Sequence, residues 1–75
     1  MTSQEALQAA IAASGKTLYA VSKAVGRSPS YAAQVVRQGA RPTGETLALI
    51  GGACGYRLAL VPCEHELPSG AIVID

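Results

Sequence analysis

Phenylalanine and tryptophan are missing from this 75-residue chain, and three tyrosines are its only aromatics. Much of its apolar half is alanine and small β-branched residues, so a core built here covers little area per residue. One small domain fits, and contact with a second copy would add stability. No run approaches the roughly 18 apolar residues of a membrane span. The opening MTSQEALQ has no basic n-region, so no secretory signal is read there and the expected compartment is the cytoplasm. Cysteine is scarce too: Cys54 and Cys63 do not by themselves form a disulfide framework and are expected as free, buried thiols. With His65 they spell C-x8-C-x-H, unlike the paired spacings of zinc sites. No nucleophile stands beside a recognisable base, and there is no glycine-rich phosphate loop. Neither enzyme activity nor a cofactor or metal is therefore expected.

The most telling absence is of acid in the middle. All five acids (Glu5, Glu45, Glu64, Glu66 and Asp75) lie outside positions 16–41, while Lys16, Lys23, Arg27, Arg37 and Arg41 lie inside. That window carries +5; the rest, counting Arg57, carries −4. The net charge of +1 hides a patch able to steer a polyanion.

Four helices are predicted. Thr2-Ser3-Gln4-Glu5 fits a capping box, Leu7, Ala10, Ile11 and Ser14 follow at helical spacing, and Gly15 stops the first helix. Thr17 caps the second, whose face is Leu18, Val21 and Val25, and Gly26 ends it. Ser28-Pro29 reads as a hydroxyl cap followed by proline at the first helical position, opening a third helix that runs to about Gln38 before Gly39. In that helix Ala32, Val35 and Val36 fall on one side, while Ser30, Ala33, Gln34 and Arg37 share the other. Pro42-Thr43 opens the fourth, with Leu47, Ile50 and Ala53 inward and Gly55 after its end. Beyond Tyr56 the period changes: RLALVP alternates, AIVID is β-branched, and CEHELPSG between them has turn composition. Two short strands are expected there. They would cover the core or pair with a second subunit through Leu58, Leu60, Val61, Ile72, Val73 and Ile74.

A steep helical crossing needs a small residue where the backbones meet, a turn residue tolerant of positive φ, and apolar residues at the contact. Ser22, Gly26 and the set Val21, Val25, Ala32 and Val35 meet those needs. With Gly26, Ser28, Ser30-Tyr31 and Arg41-Pro42-Thr43 before TLALIGGACG, residues 3–55 resemble the Cro/repressor-type (Xre) helix-turn-helix family of phage and bacterial regulators. Leu18 and Pro29 stand where that family often carries glutamine. The resemblance implies a mainly α fold: a four-helix helix-turn-helix domain over 1–55, followed over 56–75 by two short strands for dimerisation or partner binding. It also implies double-stranded DNA as partner. Pro29, Ser30, Ala33 and Gln34 match the groove-facing positions, with Arg37 in reach of a guanine. Thr17 and the amides after it, with Lys16, Lys23, Arg27, Tyr31 and Arg41, would hold phosphates. A glutamine amide can bond adenine N7 and N6 together, which makes Gln34 the strongest reader. The expected activity is that of a homodimeric repressor on a pseudo-palindromic operator. The alternative is an antitoxin-like or phage accessory protein whose terminal strands bind another protein.

Overall fold

Three of the four helices of the computed structural model start and stop where local chemistry closes their backbone; residues 1–38 and 41–74 are described. Helix α1 spans Ser3–Ser14. Thr2 Oγ1 accepts from the Glu5 amide at 3.1 Å, and the Thr2 amide donates to Glu5 Oε1 at 2.9 Å, so the predicted capping box is complete. Gly15 ends it at φ 71°. Helix α2 spans Leu18–Ala24 behind Thr17, whose hydroxyl accepts from the Ala20 amide at 3.0 Å. Gly26, at φ 73°, lets the chain double back, and the Gly26 and Arg27 amides donate to the carbonyls of Lys23 and Ser22. Helix α4 spans Gly44–Ala53, capped by Thr43 on the Thr46 amide at 3.1 Å. Gly55 repeats the glycine ending, with the Tyr56 amide donating to the Gly51 carbonyl at 2.8 Å.

Helix α3 departs from the prediction. It spans Tyr31–Arg37, beginning later than the expected start at Ser28-Pro29. The Tyr31 amide donates to the Ser28 carbonyl at 3.0 Å, and Ser30 stands at φ −94°, ψ 0°. Those values belong to the third residue of a type I turn, where proline suits the second position. The fixed φ of Pro29 thus serves a turn leading into the helix. The expected terminator Gly39 lies outside the described residues.

The core draws one or more residues from every helix: Leu7, Ala10 and Ile11 of α1, Val21 of α2, Ala32 of α3 and Ile50 of α4, with Cys54. Leu18, Tyr31, Val35, Val36, Leu47, Ala53, Tyr56 and Ile72 pack around them. Helix α1 lies chiefly on α4, and α2 chiefly on α3. Two long polar side chains tie the pairs together. Gln4 Nε2 donates to the Val36 carbonyl near the end of α3 at 2.6 Å, and Lys16 Nζ donates to the Ala53 carbonyl at the end of α4 at 2.6 Å.

The two predicted terminal strands do not form: among the described residues there is no β-strand. Within 57–74 the backbone hydrogen bonds are two tight turns, His65 amide to Pro62 carbonyl at 3.0 Å and Ala71 amide to Pro68 carbonyl at 3.1 Å. The connector therefore turns twice instead of once, so no two-residue hairpin loop sets a register. A lone two-stranded ribbon is also marginal in water. Ile72 and Tyr56 lie half-buried on the core, whereas Leu58, Leu60, Val61, Val73 and Ile74 are exposed. Cys54 is buried and Cys63, contrary to expectation, is exposed, both as free thiols. Among the described residues no helix is long and apolar enough to cross a membrane.

Candidate nucleic-acid interface

The site begins with a serine that sequence reasoning valued only for its size. Ser22 is fully buried; its hydroxyl donates to the Leu18 carbonyl at 2.8 Å and accepts from the Ala32 amide at 2.9 Å. The second bond matters most, because the first amides of a helix have no partner inside it. For α3 those donors are met from outside: Tyr31 by the Ser28 carbonyl, Ala32 by Ser22. Ser30, at the N-cap, makes no side-chain cap bond. Its hydroxyl faces outward and accepts from Gln34 Nε2 at 3.2 Å.

Two of the expected base-reading residues are therefore brought together, one turn apart on the exposed edge of α3. Arg37 follows on the same edge, exposed near the end of the helix, and Pro29 is exposed just before it. Ala33 is half-buried and adds a methyl group beside the polar pair. The opposite side of α3, with Ala32, Val35 and Val36, seats on the core.

The cations divide into three groups. Arg27 lies over the Tyr31 ring, 5.4 Å from its centre, and Lys23 lies over the Tyr19 ring at 5.9 Å. Such contacts contribute about 0.5–1 kcal/mol when exposed and restrain the long side chains without neutralising them. Tyr31 itself is half-buried and packs against the core. Arg37 and Arg41 are exposed. Lys16 is engaged elsewhere, on the carbonyl end of α4, where a cation suits the helix dipole. Thr17 is exposed, its hydroxyl already accepting from Ala20.

No family model, curated protein or solved structure matches this chain. What the site can do follows from its own chemistry. It offers an amide that donates and accepts, a hydroxyl beside it and a guanidinium on one edge, set in a stretch without acids. Sequence reasoning missed the Ser22 clamp and the Gln4 link, since neither follows from helical spacing. Gln4 Oε1 is left buried without a hydrogen-bond partner.

Proposed function

We propose that the chain is a sequence-specific DNA-binding regulator of transcription, acting as a repressor, with α3 as the helix that enters the major groove. One observation carries the reading: the Ser30–Gln34 pair, released from capping duty by Ser22, stands exposed on a helix flanked only by cations. Gln34 reads adenine through a paired donor and acceptor, Ser30 adds a weakly selective contact, and Arg37 reaches a guanine or a phosphate. Arg27 and Arg41, with Lys23 at the margin, hold the backbone. A single strong reader gives about 1–3 kcal/mol of discrimination, too little to find a site alone. Two copies on half-sites about 34 Å apart supply the rest, on a pseudo-palindrome that overlaps a promoter.

Selection of the full chain against random duplexes, repeated at two salt concentrations, tests this. A symmetric enriched motif is expected, with affinity falling steeply as salt rises because bound phosphates release counterions. A pool that stays random at both concentrations would refute it.

A further inference from the structure

The tail after α4 forms two arms, residues 55–61 and 67–74, that face each other across an open groove of about 780 Å³. Leu58, Leu60, Val61, Leu67, Ile72 and Ile74 are among the residues lining it. No ladder hydrogen bond joins the arms among the described residues: the Gly55 and Tyr56 amides bond back to α4, and beyond them the tail's backbone bonds are the two turns at Pro62 and Pro68. Leu60 is 102% exposed, and Leu58, Val61, Leu67, Val73 and Ile74 stay 39–51% exposed. Amides and carbonyls without a ladder partner, beside so much apolar surface, are what an added strand covers.

We propose that the occupant is a second copy of this chain, each copy laying an arm into the groove of the other about a two-fold axis. A guest for this groove must be apolar, β-prone and short of backbone partners, and the arms Leu58–Val61 and Ala71–Ile74 meet all three conditions. A two-fold makes every arm residue host and guest at once, so a single surface covers both copies. The half-exposed side chains of two tails amount to on the order of 1,000 Å², at the lower edge of stable interfaces. Position fits as well. Where the tail meets the helices, a separate small cleft is walled by Ala6, Leu7 and Ala10 of α1 and Leu47 and Gly51 of α4, with no described residue of α2 or α3. Joining two tails therefore leaves both Ser30–Gln34–Arg37 edges uncovered. This deepens the two-copy reading above, and its readout needs no DNA.

The test is the mass of the full chain by sedimentation equilibrium without DNA, across the micromolar range. Twice the 7.6 kDa of one chain is expected. Leu60→Lys changes a fully exposed side chain outside the helices, so it should keep the helical circular dichroism while weakening the dimer by about tenfold or more. In a mixture of labelled and unlabelled protein, cross-chain methyl contacts should join Leu60 to the 71–74 arm of the partner subunit. A single-chain mass throughout the range would overturn the proposal. So would a dimer that Leu60→Lys leaves intact, or cross-chain contacts confined to the helices. A monomer that still selects a half-site keeps the α3 reading and ends this one; a dimer that selects no duplex does the reverse.

Discussion

The Ala32 amide, buried at the start of α3, finds its acceptor 2.9 Å away in the Ser22 hydroxyl on α2. The same hydroxyl donates to the Leu18 carbonyl, and the Ser22 carbonyl receives the Arg27 amide at 3.1 Å. One residue thus fixes the end of α2, the turn and the first turn of α3. The angle at which Gln34 and Arg37 are presented depends on it.

Ser22→Ala should destabilise the fold by about 1–3 kcal/mol, because it leaves the buried Ala32 amide without an acceptor. For a domain of this size each kcal/mol lowers Tm by roughly 4–8 °C. Thermal unfolding measures the loss, and accelerated hydrogen exchange at the Ala32 amide locates it. An unchanged Tm would mean that the bond contributes nothing to the crossing.

Two glycines should respond to alanine with opposite sign. Gly26 stands at φ 73° with no atom within 4 Å of an added Cβ, so the cost of Gly26→Ala is backbone strain alone, about 1–2 kcal/mol. Gly52, inside α4 with equally open space, carries no positive φ. There alanine should stabilise by about 0.5–1 kcal/mol through better helix propensity. Urea unfolding of the two variants side by side decides it; shifts of the same sign would refute the assignment of Gly26 to a left-handed turn.

Local chemistry was legible in the sequence and tertiary chemistry was not. Thr2 with Glu5, Thr17, Thr43 and the glycines at 15, 26 and 55 announced their caps, since each involves neighbours a few positions apart. The inward and outward sides of α3 were also readable from spacing. Ser28-Pro29 misled because a proline after serine suits a type I turn as well as a first helical turn. The Ser22–Ala32, Gln4–Val36 and Lys16–Ala53 bonds join residues 10, 32 and 37 positions apart, beyond what periodicity can report. The terminal strands failed for another reason: their alternation is real, but a ribbon gains stability only from a further partner.

Lys16 offers a way to separate structural from DNA-facing cations. Its ammonium sits on the Ala53 carbonyl at 2.6 Å, so Lys16→Gln should lower stability by about 0.3–1 kcal/mol, an effect that shrinks with added salt. The salt slope of duplex binding should stay as it is. A slope reduced as much as by Arg41→Ala would return Lys16 to the phosphate contacts.

Substitutions on α3 test the proposed readout most directly. Gln34→Ala should relax preference at one base pair per half-site, a loss of about 1–3 kcal/mol of discrimination, and leave affinity for unrelated duplex nearly unchanged. Ser30→Ala takes away the acceptor of the Gln34 amide, so a smaller relaxation at that same position is expected. Arg41→Ala, exposed and beyond α3, should weaken all duplexes alike and make the salt slope shallower by about 1. Arg37→Ala follows Arg41 if it holds a phosphate, and Gln34, at a different position, if it reaches a guanine. Side-by-side selections with the four variants measure these outcomes. If Gln34→Ala weakened every sequence equally, the α3 edge would be a backbone contact, and the source of specificity would have to lie elsewhere on the protein.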